Sequence, residues 1–145
     1  MCYLRSPALA AHQTAEAMNI PALIQPELRE CGYGHWAGRQ ISEIETDDPA
    51  GMAQWLSDPG ACPHGGETLL SVLSRVSFWL DQQQGSDGVI VAITHASIVR
   101  AAIVCALGVP PLTFWRIDIS PLSVSWLHRS HRPWTLSSAN EQLVR

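Results

Sequence analysis

His95 follows an apolar, β-branched run, Val89-Ile90-Val91-Ala92-Ile93, and precedes a stretch of helical spacing. An imidazole at that turn stands where a helix start offers unpaired N–H groups to an anion. Open α/β sheets bind their ligands at the carboxyl ends of strands. The position therefore points to a phosphate-site residue; the plainer alternative is a hydrogen bond across the turn. Glu30 lies in Pro26 to Gly38, PELRECGYGHWAG, among glycines, Tyr33 and Trp36. A carboxyl partly desolvated in such a loop holds its proton more tightly and suits a general acid. A solvated loop glutamate is the commoner case.

The elements that must position these residues follow from periodicity. Val89 to Ile93 is short and wholly apolar, as expected of a strand buried on both faces of a parallel sheet. Ile98, Val99, Ala102, Ile103, Cys105, Ala106 and Leu107 recur at helical spacing, and Gly108 with Pro110 stops that helix. Upstream, Met1 to Leu4 is an apolar stub that barely makes a strand. Ser6-Pro7 opens a helix over Ala8 to Met18, with Ser6 as its N-cap. Asn19 and Pro21 end that helix, and Leu23-Ile24 makes a short strand. Ile41 to Glu45 and Met52 to Leu56 are short helices. Cys62 to Glu67, CPHGGE, turns into the longest helix, Thr68 to Gln84. That helix carries Leu69, Val72, Leu73, Val76 and Leu80 on one face, and Arg75 on it reads as a surface ion-pair residue. Gly85 to Gly88 is a tight turn. Phe114 to Ile119 and Val124 to His128 alternate as strands do, Ser130 to Pro133 makes a hairpin turn, and Trp134-Thr135-Leu136 a closing strand.

Composition bounds the function. The 145 residues, 46% hydrophobic, suffice for one domain with a real core. A net charge of -4 and a pI near 5.8 give no basic surface for nucleic acid. Only 15% of residues are charged, which suggests a covered surface. Cys2, Cys31, Cys62 and Cys105 form no CxxC pair and are expected to be free thiols. Cys62-Pro63-His64 and His128 with His131 each lack the second half of a zinc site, so no metal and no cofactor is expected. The N-terminus does not resemble a signal peptide, and no apolar run is long enough to span a membrane. A cytoplasmic location, without nucleic-acid or membrane partners, is the expectation.

In order, SPALAAHQTAEA, LRECGYGHWAG, HGGET with a helix containing Arg75, and VAITHASIVRA resemble the histidine phosphatase superfamily, in the branch of the cofactor-dependent phosphoglycerate mutases. The resemblance runs from Ser6 to Asn140. It implies an α/β fold: a three-layer α/β/α sandwich on a mostly parallel sheet, phosphoglycerate mutase-like. By the match, Glu30 is similar to the family's proton donor and His95 to its second histidine, which holds the transferring phosphoryl group. Gly66 and Glu67 resemble the Gly-Glu-Ser/Thr corner near the pocket, and Ala96 follows the histidine at its edge. The substrate so implied is a phosphorylated small molecule.

The chain also departs from the pattern. The family's first strand ends in Arg-His-Gly, whose histidine takes the phosphoryl group, and no Arg-His-Gly occurs here. The chain is thus expected to be N-terminally shortened, residues 1–145 forming a single domain that lacks its first strand-helix unit. Ala10 occupies the second arginine's place in SPxxRA, and Arg5 lies nearby. Phosphoryl transfer depends on positioning and on neutralising three equatorial oxygens. Hydrolysis by this chain is therefore expected to be weak or absent. His12 is expected to face solvent, and His35 and His64 to lie in pocket-side loops. Two readings stay open: a phosphomonoester hydrolase of the family, or an inactive module that binds phosphate or a second copy of itself. Six tryptophans, with Trp115, Trp126 and Trp134 near the C-terminus, give the dimeric reading its footing.

Overall fold

The apolar stub at the N-terminus is a full strand, β1 (Cys2–Arg5), and it is the middle strand of a parallel sheet in this computed structural model. The structure describes residues 1–83, 85, 87–129 and 133–143. The expected end of the long helix at Gln84, Ser86 within the following turn, and Ser130 to Arg132 of the expected hairpin turn lie outside the described residues. One edge of β1 pairs with β2 (Leu23–Ile24) and the other with β3 (Ile90–Ile93), in the order β2-β1-β3. Leu4 pairs in register with both Leu23 and Ala92 and is the buried residue of its strand. A second, antiparallel sheet pairs β4 (Ser123–His128) with β5 (Thr135–Gln142).

Five α-helices link and cover these strands: α1 (Leu9–Ala17), α2 (Ile41–Asp47), α3 (Pro49–Ser57), α4 (Leu69–Gln82) and α5 (Ala96–Leu107). Parallel neighbours require a crossover between them, and α1, α4 and the short helices supply it. In α4, Leu69, Val72, Leu73, Val76 and Leu80 are all buried, together with Trp79. They meet Ile98, Ala101 and Val104 of α5 in one core. Each such side chain contributes roughly 1.5–3 kcal/mol on burial. Thr68 caps α4 by accepting the Ser71 N–H at 3.0 Å. Gly108 ends α5 at φ 61°, a left-handed residue that glycine adopts without strain.

Three local expectations are corrected. Ser6 does not cap α1; Ala8 stands at the N-cap with no side-chain bond, because the Ser6 hydroxyl is engaged elsewhere. Phe114 to Ile119 is not a strand. Residues Pro111–Arg116 form a 3-10 helix that buries Phe114 and sets Trp115 5.9 Å from Trp55, so tertiary packing overrides the alternation. Finally, β3 is not buried on both faces: Ile90, Val91 and Ile93 are half-buried and Ala92 is exposed. Its neighbour is β1 alone among the described residues.

Candidate active site

Because β1 and β3 are adjacent and parallel, their carboxyl ends reach the same edge of the sheet. Ser6 N–H donates to the Ile93 carbonyl at 2.8 Å, carrying the ladder one residue past β1. That places Ser6 Oγ 2.8 Å from His95 Nε2. The Ser6 oxygen also accepts the Ala8 N–H at 3.2 Å. The hydroxyl and Nε2 share one hydrogen bond, whose direction goes with the ring's tautomer. Nδ1 lies 3.7 Å from Glu30 Oε2. The chain hydroxyl–imidazole–carboxyl has the order of a nucleophilic triad. Ser6 is nevertheless wholly buried, so its hydroxyl orients the ring and is out of a substrate's reach.

Glu30 is fixed at its other oxygen. Oε1 accepts the Cys31 N–H at 2.8 Å and the Ser97 hydroxyl in the first turn of α5. The Glu30 side chain is 41% exposed and that of His95 18%, so the pair lines an opening to solvent. The loop carboxyl is thus partly open to solvent, in keeping with either reading of it. Cys31 is buried, and burial, followed by the charges of Glu67 and Glu30, pushes its thiol up to about 12. A thiol held protonated at neutral pH is no nucleophile.

The loop that presents Glu30 hangs on Arg75, which the sequence reading placed on the surface. Its side chain is only 10% exposed. Nη1 donates to the carbonyls of Glu27 at 2.8 Å and Arg29 at 2.9 Å, and Nη2 to that of Glu30 at 3.4 Å. Nη2 and Nε also hold both oxygens of Glu67, at 2.8 and 3.1 Å. Glu67 in turn accepts the Gly32 N–H at 2.9 Å, while its own N–H donates to Gly32 O at 2.7 Å. Burial pushes the Glu67 carboxyl up, but the bonds from Arg75 and Gly32 and the charges of Arg75 and Arg29 together bring it below the usual carboxylate range. A Cβ on Gly66 would stand 1.9 Å from Gly32 O, so only glycine lets the two loops touch there. Thus Glu30, His95 and Ala96, the first residue of α5, come together at the opening. Gly66 and Glu67 hold the backbone of the loop that carries Glu30.

His64 belongs to the same scaffold. It is buried, not solvated, with Tyr33, Trp36 and Trp55 edge-on around it at ring separations of 5.8, 5.2 and 4.6 Å. Nδ1 accepts the Gly66 N–H at 3.0 Å. Burial and then His35 lower its pKa, so the ring is neutral. The one clue in the sequence was the aromatic density of Tyr33, Trp36 and Trp55. His12 is partly exposed on α1, 3.4 Å from Glu16, and Ala10 is exposed on the same helix. Arg5 Nη1 donates to the Ser6 carbonyl at 3.1 Å, at the strand end that carries the site. Among the described residues, no cluster of three or more His, Cys, Asp or Glu forms a metal site. No helix among them is long and apolar enough to cross a membrane.

The profile of the Histidine phosphatase superfamily (branch 1) matches residues 2–142. The chain belongs to that superfamily. Relatives of this histidine phosphatase-family chain include a phosphoserine phosphatase 1 of Hydrogenobacter thermophilus, 28% identical over 132 residues. A glucosyl-3-phosphoglycerate phosphatase of Mycolicibacterium vanbaalenii is 31% identical over 116 residues. The matches take in 89% and 74% of this chain but 63% and 51% of those two proteins. The fold is that of the native mycobacterial glucosyl-3-phosphoglycerate phosphatase structure, at TM-score 0.84 and 21% identity over 99% of this chain and 78% of that one. The α-ribazole phosphatase structure from Shigella flexneri superposes at TM-score 0.78 and 22% identity over 99% of this chain and 76% of that one. The phosphoglycerate mutase-like α/β fold is thereby established.

Proposed function

We propose that this chain is a phosphomonoester-binding member of the histidine phosphatase superfamily, with His95 as the phosphate ligand and Glu30 as the proton donor to a leaving group. The observation that supports this most is the pairing of a hydroxyl-oriented imidazole with a carboxyl at the opening beside the start of α5. With its Nε2 tied to Ser6, the imidazole presents its Nδ1 side toward Glu30 and a bound phosphoryl oxygen. The first N–H groups of α5 favour the same negative charge. The substrate class is a phosphorylated small molecule, in line with the phosphatase names of the relatives. Hydrolysis by residues 1–145 alone is weak, because neither the histidine nucleophile nor the arginines of the family pattern stand in the sequence.

The test is twofold. Binding of inorganic phosphate, followed by chemical-shift changes at His95 and Ala96, is expected for the chain and lost in His95→Ala. Turnover of p-nitrophenyl phosphate is expected to lie near the buffer rate. Phosphate binding unaffected by His95→Ala would remove this reading. The second reading, a module that pairs with its own copy, draws on the half-exposed Trp126. Sedimentation at two concentrations tests it.

A further inference from the structure

The two oxygens of Glu30 have unequal surroundings. Oε1 accepts two hydrogen bonds, from the Cys31 N–H at 2.8 Å and from the Ser97 hydroxyl. Oε2 stands 3.7 Å from His95 Nδ1, beyond hydrogen-bond distance, and accepts no hydrogen bond among the described residues. A carboxyl oxygen has two lone pairs, and both of those on Oε1 are taken. A proton arriving on Oε1 would have to displace one of two donors that belong to buried residues, and that donor would lose its partner. A proton arriving on Oε2 displaces nothing.

Ser97 uses its hydroxyl differently from the other helix residues of its kind. Thr14, Thr46 and Ser57 return theirs to the carbonyl four residues back, at 2.9, 2.9 and 2.6 Å. Ser97 reaches out of α5 instead, to a partner 67 positions away in sequence. It is 4% exposed, so a substrate cannot touch it. On the other side of His95, Thr94 Oγ1 donates to the Leu28 carbonyl at 2.7 Å. The turn that carries His95 thus grips the Glu30 loop twice, by its backbone at Leu28 and by the carboxyl itself. The Leu28 bond fixes where the loop runs. The Cys31 N–H alone would leave one lone pair of Oε1 open to a proton, and the Ser97 bond closes it.

We propose that Ser97 is a positioning residue for the proton donor: its hydroxyl fills the second lone pair of Oε1, so the proton that Glu30 carries stands on Oε2, beside His95 at the opening. The inference rests on the reading of Glu30 as the proton donor. It adds which oxygen holds the proton and which side chain selects that oxygen. A neutral carboxyl with its O–H on Oε2 keeps Oε1 as an acceptor. The bonds from Cys31 and Ser97 therefore outlast the titration of Glu30.

The test follows the Cys31 amide through the titration of Glu30 in the isotope-labelled chain, with no phosphate present. The carboxyl carbon of Glu30 marks the titration by NMR, and hydrogen exchange measures the protection of the Cys31 N–H on either side of it. Burial keeps the Cys31 thiol and the Tyr33 hydroxyl protonated throughout. Arg29, Arg75 and Arg100 keep their charges. His95 and Glu67 are the other titratable groups close by, and their own carbon signals tell them from Glu30. Protection is expected to be equal on both sides in the unaltered chain. In Ser97→Ala it should fall about fivefold on the acid side only, the worth of one hydrogen bond. Ser97→Thr keeps the hydroxyl and should restore it. Ser97→Cys, close in size and a poor donor, should show the same fall and serves if Ser97→Ala does not fold. A merely structural Ser97 would lower protection alike on both sides, and that result overturns the inference. So does full protection in Ser97→Ala. Protection lost on the acid side in the unaltered chain overturns it without any variant, since the proton is then on Oε1. If the expected results appear while phosphate binding is indifferent to His95→Ala, the reading of the site falls and the place of the proton stands.

Discussion

Ser6 Oγ and His95 Nε2 stand 2.8 Å apart although 89 residues separate them in sequence. The serine that follows β1 is thereby the orienting partner of the histidine that follows β3, and the two strands must be neighbours for the site to exist. Ser6→Ala leaves Nε2 facing a buried void. It should cost about 2 kcal/mol in urea unfolding. The ring is then free to rotate, and phosphate affinity should fall with it. An unchanged His95 side-chain NMR signature in Ser6→Ala would contradict this.

Arg75 is a backbone clamp. Its guanidinium serves three carbonyls of the Glu30 loop and both oxygens of Glu67. Arg75→Met keeps much of the stem and leaves Glu67 a partly buried carboxylate without its main partner. The expected loss is about 3 kcal/mol, with faster amide exchange through Leu28 to Gly32. Denaturant melts and exchange rates check both halves of the claim.

The Glu67 carboxyl titrates below its ordinary value of 4.5. A group with a depressed folded-state pKa contributes stability that is complete above the unfolded value and is lost as pH falls through the folded value. Acid unfolding below pH 4.5 should therefore carry a Glu67 component. Glu67→Gln should flatten that limb while lowering stability at neutral pH.

His64 gives the opposite kind of group, a base whose folded-state pKa lies below 6.5. At high pH both states are neutral and it contributes nothing to the slope. As pH falls through 6.5 the unfolded chain takes up a proton first, so stability drops until the folded pKa is reached. His64→Phe should remove this slope between neutral and mildly acid pH. A slope that survives the substitution would assign it to another group.

Gly34 and Gly38 separate contact from conformation. Both have positive φ, 52° and 75°. A Cβ at Gly34 would stand 1.9 Å from the His64 carbonyl, whereas at Gly38 nothing lies within 4 Å. Gly38→Ala should cost about 1 kcal/mol, the left-handed strain alone. Gly34→Ala must also push apart the loops at Tyr33 and His64, and should cost at least about 3 kcal/mol. Thermal melts of the two variants side by side decide it.

Local chemistry was legible in the sequence. The apolar run of β3, the amphipathic face of α4 and the Gly108 stop needed only periodicity and spacing. The resemblance to the family from Ser6 to Asn140 put Glu30 and His95 forward as a pair. Two kinds of information were missing. The alternation in Phe114 to Ile119 is overridden by a 3-10 turn whose Trp115 ring packs on Trp55, and nothing nearby in sequence announces Trp55. A lone arginine on a helix, likewise, carries no sign of what it faces.

The sequence by itself determined most of the elements and the strand-end placement of His95, because these depend on neighbours within a few residues, and it carried the family's motifs in order. Only the tertiary structure decided that Ser6 orients His95, that Arg75 and Glu67 hold the Glu30 loop, and that β3 pairs with β1 alone among the described residues. Those relationships join residues eight to 89 positions apart. Hydrogen-bond direction, burial and strand pairing are set by which surfaces meet when the chain closes, and no local pattern encodes that meeting.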